Sequence, residues 1–275
     1  MSPAQPDPGD RLLAALAGGL RIEARSIAVV VAHPDDETIA LGAQLRRLEG
    51  VTIVHVTDGA PRNGEDASRH GFTACEDYAA ARRRELEAAV ALAGVAPDAL
   101  VAFDVPDQEA ALDLARTARW LAASFAERGI EVVLTHAYEG GHPDHDAVAF
   151  AVHAAARLGG GASILEMPFY RAGPDGWIIQ TFAPDPLAPE IALWLDDHAR
   201  GLKRHMMNAH VSQAATLAGF APRVERFRRA RPHDFGVLPN GGDLLYESAG
   251  WGMTGARWRD LVRDAQAELG LTAPA

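Results

Sequence analysis

The apolar run from Ile27 to Ala32, "IAVVVA", ends abruptly in His33-Pro34-Asp35-Asp36-Glu37. A strand without a polar position has no face to give to water, so it must be covered on both sides. That requirement points to a parallel sheet enclosed by helices, and the rest of the chain supplies the parts. Strand patterns recur at Val51 to Val56, Asp98 to Val105, Ile130 to Ala137 and Ser163 to Tyr170. Helical patterns fall between them at Thr38 to Leu48, Glu76 to Gly94, Gln108 to Gly129 and His145 to Gly159, three of them closed by a glycine. Strands alternating with helices predict an α/β fold, a Rossmann-like three-layer sandwich with a mostly parallel sheet.

The pattern loosens past residue 172. A Pro-rich stretch leads to one helix, Asp196 to His210, and an irregular tail with Trp251 and Trp258. No linker divides the chain and no internal repeat appears. The reading is one domain over 1–275: a disordered start at 1–10, a core over 26–171 and a decorated C-terminal part over 172–275. Thr57 to Cys75 reads as a long polar loop, of a length that compact domains reserve for function.

Composition sets outer bounds. The net charge of −11 argues against a general nucleic-acid footprint. The single cysteine, Cys75, permits no intramolecular disulfide and suits a reducing compartment. No apolar run approaches the ~20 residues of a membrane span. "LLAALAGGL" (Leu12 to Leu20) follows a flank with two acids and no base, the wrong flank for a signal peptide. A cytoplasmic protein with no membrane span is expected; a homo-oligomer remains open.

In a parallel α/β sheet, ligands bind beyond the carboxyl ends of the strands. Four such ends carry acids and histidines here: His33-Pro34-Asp35-Asp36-Glu37, Thr57-Asp58-Gly59, Val105-Pro106-Asp107, and Tyr138 through Asp146, "YEGGHPDHD". His33 and Asp36 are three apart, and His142 and His145 repeat that spacing. Adjacent acids repel unless something cationic draws them together, and imidazole with one carboxylate is zinc-like chemistry. Other histidines read differently: His55 as a packed core residue, His136 as a supporting neighbour, His210 as either pocket or packing. Lys203, the single lysine, reads as a solvated cation or a neighbour of the site.

"AHPDDE" after the first strand and "GGHPDHDAV" after the fourth resemble the PIG-L/LmbE-type zinc-dependent N-deacetylases. "TDG", "RRRELEAAVALAGV", "VPDQ" and "KRHMMNAHVSQ" extend the likeness over about residues 26 to 215. The resemblance implies Zn2+, or another divalent transition metal, held by His33, Asp36 and His145. It implies Asp35 as general base, with His142 stabilising the tetrahedral intermediate and Asp144 orienting it. On that reading His142 acts protonated, its charge held by Asp144. Arg62 or Arg69, Asp107 and Tyr138 would contact substrate, although Gly140 stands where certain members carry a tyrosine. The implied activity removes an N-acetyl group from a GlcNAc-containing small molecule or glycoconjugate. An amidase for a larger acyl group would share this metal site. A non-catalytic sugar- or nucleotide-binding protein is the rival of another class; the missing G-x-G-x-x-G after the first strand speaks against it.

Overall fold

A computed structural model describes residues 6–271. A seven-stranded sheet forms its centre: β1 (Ile27–Val31), β2 (Thr52–Pro61), β3 (Leu100–Asp107), β4 (Val132–His136), β5 (Ser163–Met167), β6 (Glu190–Trp194) and β7 (Val224–Arg229). Their order is β3-β2-β1-β4-β5-β7-β6. The first five run parallel, and β7 and β6 extend the sheet antiparallel. This is the mostly parallel α/β sheet that the alternation predicts.

The run in β1 is buried throughout and feeds two cores by simple alternation. Ile27, Val29 and Val31 join one apolar cluster, and Ala28, Val30 and Ala32 join the other. The first cluster is closed by α1 (Pro8–Ala17), α2 (Asp36–Leu45), α3 (Cys75–Leu92) and α6 (Asp197–Ala209). The second is closed by α4 (Leu114–Arg128), α5 (Pro143–Leu158) and α7 (Gly255–Leu269). Among the described residues no helix is long and apolar enough to cross a membrane.

Several expectations change. The start is helical from Pro8, capped by the Asp7 side chain, so the disordered segment expected over 1–10 does not reach residue 10; residues 1–5 lie outside the described residues. The polar loop after the second strand is partly structured: β2 continues to Pro61 through irregular register, and a short helix occupies Glu65–Arg69. The C-terminal tail is not irregular. It contains β7 and α7, with Trp258 of α7 fully buried in the second core, and the Pro-rich stretch before the helix contributes β6.

The order places a topological switch between β1 and β4. The chain winds outward from β1 to β3 and then returns to β4 on the other side of β1. Loops leaving β1 and β4 therefore diverge in opposite directions and open a crevice at their carboxyl ends. The two histidine motifs flank that crevice.

Candidate active site

The turn after β1 folds back on itself. The amides of Asp35 and Asp36 donate to the His33 carbonyl at 2.9 and 3.2 Å, and the His33 amide donates to Asp36 Oδ2 at 2.7 Å. That reciprocal bonding turns the Asp36 carboxylate towards the His33 ring, 3.4 Å from its Nδ1. α2 begins at Asp36, so the helix N-terminus adds positive potential beside both acids. From the β4 side, α5 brings His145 across: its Nε2 lies 3.3 Å from His33 Nδ1 and 3.4 Å from Asp36 Oδ1.

His33 Nδ1 and His145 Nε2 thus lie 3.3 Å apart, and the two oxygens of Asp36 each meet one of them at 3.4 Å, Oδ2 facing His33 and Oδ1 facing His145. Two imidazoles and a carboxylate are the donor chemistry of a zinc-like ion, and the 3.3 Å between the ring nitrogens matches the roughly 3.3 Å that tetrahedral bonds of about 2.0–2.1 Å leave between two ligands. His136 lies near the same carboxylate, but its Nε2 already accepts the Ala32 amide at 2.9 Å, so its lone pair is committed. Its ring stacks on His145 instead, with centroids 4.0 Å apart and planes 16° from parallel, and fixes that ring's tilt. Burial opposes the charge on Asp36, but His145 and His136 outweigh it and hold the carboxyl well below the usual range.

Asp35 faces elsewhere. Arg82 of α3 donates to Asp35 Oδ2 at 3.1 Å and to the Gly59 carbonyl at 2.6 Å, and approaches Asp107 Oδ2 at 3.9 Å. Gly59 has φ +71, and an added Cβ would lie 2.4 Å from Arg82 Nη1. Only glycine leaves the guanidinium room. Burial raises the Asp35 pKa, and the Arg82 charge offsets part of that rise. The result is a buried, accessible-on-one-side carboxylate with increased basicity.

His142 is placed by helix capping. Its Nδ1 accepts the Asp144 amide at 3.2 Å as the N-cap of α5, so the ring proton belongs on Nε2, facing the cleft. Burial and the nearby His33 push its pKa well down. The ring therefore offers a neutral N–H donor, not the charged donor expected from sequence. Asp144 does not hold it: the nearest carboxylate oxygen is 4.0 Å from Nδ1. The Asp144 carboxylate instead accepts the Gln108 and Ala110 amides at 2.6 and 3.1 Å and meets His33 Nε2 at 3.3 Å. Asp107 Oδ1 approaches the same His33 nitrogen at 3.1 Å. Burial disfavours a charged His33 ring, but Asp107, Asp144 and Asp36 outweigh it and raise its pKa.

A cleft of about 800 Å³ opens over this floor. His33, Asp35, Asp36, Asp107, His142 and His145 all line it, as does Arg69. Two expected substrate contacts are not there. Arg62 does not line the cleft; it is tied to Asp58 and to the Ala60 carbonyl. Tyr138 faces the second core, where its hydroxyl donates to the Phe235 or Val237 carbonyl and accepts the Trp258 indole N–H at 2.7 Å. The β4 loop turns away at that point, so two residues of offset from the family position put the ring behind the site.

Arg82 and Tyr170 line the cleft and were not anticipated. Arg82 sits in "RRR", which reads as a solvated face. Its phase with Tyr78, Leu86, Ala89 and Val90, all buried, is the signal that places it inward. Tyr170 follows β5 in a short hairpin (170–179) and carries no such pattern. Glu37 is no ligand: it binds His55 at 2.9 Å and Thr38 at 2.6 Å inside the protein. His55 is a packed core residue as expected, and His210 packs against Thr38 at 3.3 Å. Lys203 is neither solvated nor in the cleft; it is buried and paired with Glu225 at 2.7 Å.

His153, Glu166 and His233 form another cluster, beside a separate cleft of about 690 Å³. His233 already contacts Glu166 at 2.5 Å, and Arg228 holds the other carboxylate oxygen at 2.7 Å. Both oxygens of Glu166 are thus paired, while His153 Nε2 is buried without a partner.

The sequence model of the PIG-L family, described as GlcNAc-PI de-N-acetylase, matches residues 28–156. That span contains β1 to β4 and both histidine motifs. This core is similar to the PIG-L family over that span. A curated relative, the 1D-myo-inositol 2-acetamido-2-deoxy-α-D-glucopyranoside deacetylase 2 of Catenulispora acidiphila, is 32% identical over 163 residues, 51% of this chain and 54% of that protein. The chain thus spans about half the length of the curated relative it matches. Among solved structures, the A40926 pseudoaglycone deacetylase Dbv21 superposes with a TM-score of 0.58 at 22% identity, over 75% of this chain and 97% of that one. The N,N'-diacetylchitobiose deacetylase of Pyrococcus horikoshii gives 0.53 at 18% identity, over 84% and 95%. At these identities the structural likeness concerns the fold.

Proposed function

We propose that this protein is a metal-dependent hydrolase that removes the N-acetyl group from a GlcNAc-containing small molecule or glycoconjugate. The carrying observation is the convergence of His33, Asp36 and His145, the ring nitrogens 3.3 Å apart and each 3.4 Å from one oxygen of the carboxylate, with Asp35 beside them at the floor of an 800 Å³ cleft. The family match and the deacetylase relative support the same chemistry. The three residues would hold Zn2+ or a similar divalent ion, which supplies acidification of a water and polarisation of the amide carbonyl.

The chain's own groups do the rest. Asp35, made more basic by burial, takes the proton of the attacking water and returns it to the amine as the C–N bond breaks. Arg82 keeps that carboxylate aimed into the cleft. His142 donates its Nε2 proton in a hydrogen bond to the oxygen that gains charge at the acetyl carbon. Asp107 and Arg69 line the cleft, and we assign them to sugar hydroxyls. A cytoplasmic setting suits a chain with one cysteine.

The division of labour between neighbouring acids gives the test. Asp35→Asn should keep its metal and lose about 10²- to 10⁴-fold in acetate release. Asp36→Asn should lose the metal. Metal analysis of the purified variants that shows the opposite pattern would reverse the two roles.

A further inference from the structure

The cleft has two unlike walls. Its charged groups gather on the floor and on the side of Glu65, Asp66 and Arg69. Another part of the lining presents Tyr170, Trp177, Ile179, Phe220 and Trp251, none of them charged. The aromatic rings there form a connected path that starts and ends at histidines of the site. Tyr170 lies 5.3 Å from His145, Trp177 stacks on Tyr170 at 5.2 Å and 23°, and Trp251 meets Trp177 edge-on at 6.2 Å. Trp251 then returns to His142 at 5.2 Å. Trp177 keeps 52% of its surface exposed, an uncovered indole at the mouth of a polar site.

A polyol such as an inositol needs hydrogen-bond partners for each hydroxyl that it buries, and this wall has few. Two indoles at right angles instead make an apolar corner suited to a flat ring or chain. We infer that Trp177 and Trp251 form a subsite for an apolar, ring-bearing aglycone attached to the acetamido sugar. The inference rests on the deacetylase reading for the sugar's orientation: the acetamido group lies at His33, Asp36 and His145 and the aglycone projects along the aromatic path. The preferred substrates are accordingly aryl-type N-acetylglucosaminides.

Binding separates this inference from the chemistry. Calorimetry with phenyl N-acetylglucosaminide and with an inositol N-acetylglucosaminide, on the metal-loaded Asp35→Asn protein, gives affinities without turnover. The aryl glycoside should bind at least about tenfold more tightly, the scale of one aromatic contact plus its area. Adding Trp177→Ala, or Trp251→Ala separately, should bring the two affinities within about threefold. Adding Trp194→Ala, which removes a 74% exposed indole outside the cleft, should leave the preference intact. Equal or reversed affinities in the parent, failure of both ligands to bind, or a preference that survives both cleft substitutions would overturn the subsite. Aryl preference together with wild-type protein that releases no acetate would leave the subsite standing and sink the deacetylase reading instead.

Discussion

Replacing Arg82 by Met tests how Asp35, the proposed general base, is held. The guanidinium is nearly enclosed, with side-chain exposures of 5% for Arg82 and 6% for Asp35. Met has similar length but no charge, so the substitution leaves Asp35 buried without its cation. Breaking a buried pair on one side costs about 3–5 kcal/mol, and denaturant unfolding should show a loss of that order. The kinetic effect is more specific. A neighbouring Arg lowers a carboxyl pKa by about 1–3 units, and Asp35 is already raised by burial. Loss of Arg82 should therefore move the acidic limb of the kcat/KM profile upward by about 1–3 pH units. At a pH just above the wild-type limb, the rate should fall about 10- to 1000-fold, while metal content stays at the wild-type level. Arg82→Lys should restore most of the limb's position, since it restores the charge. An acidic limb that does not move in Arg82→Met, in protein that is folded and metal-loaded, would refute the claim that Arg82 sets the basicity of Asp35. Gly59→Ala supplies a cross-check, because its Cβ would displace the same guanidinium.

His142→Ala should keep the metal and lower kcat about 10²- to 10³-fold, yet retain the basic limb of the pH profile, since a neutral ring does not titrate there; loss of that limb would restore a charged His142. Tyr138→Phe should change kcat less than about twofold but lower thermal stability, because its hydroxyl accepts the buried Trp258 indole N–H; a large loss of rate would bring Tyr138 back to the site. His153 is half-buried, and desolvation lowers its pKa from 6.5 to about 4. The unfolded chain binds the extra proton first, so this stability is present above pH 6.5 and is lost as pH falls towards 4. His153→Phe should flatten that part of the stability–pH curve by at most about 3 kcal/mol; an unchanged slope would mean that His153 titrates normally.

The parallel core was legible because burial on both faces leaves its mark on the chain itself: nothing polar interrupts Ile27 to Ala32. The strand-end residues were legible for a related reason, since topology sends every such end to one edge. β7 was not. Its "VERFRR" has four charged residues and two apolar ones three apart, so it shows no strand period, yet Glu225 is buried and balanced by Lys203 from α6. A charge neutralised across 22 residues of sequence leaves no local trace. The same holds for Asp144, whose partners are the amides of Gln108 and Ala110, delivered by the loop after β3. Its neighbour His142 was the nearest candidate in sequence, and the fold chose otherwise.

The three ligand candidates do not come from one half of the sheet. His33 and Asp36 leave β1, the start of the half that winds outward through β2 and β3, whereas His145 belongs to the half that restarts at β4. An ion gripped by all three would rivet the two halves together across the seam where the winding reverses. It would bind the folded chain far better than the unfolded one and stabilise it by RT ln(1 + [M]/Kd), about 2.7 kcal/mol at a hundredfold excess over Kd. The ion would then have a second office besides chemistry. Starvation for the metal would shorten the protein's lifetime as well as silence it, so that the amount of enzyme in a cell would follow the supply of its metal.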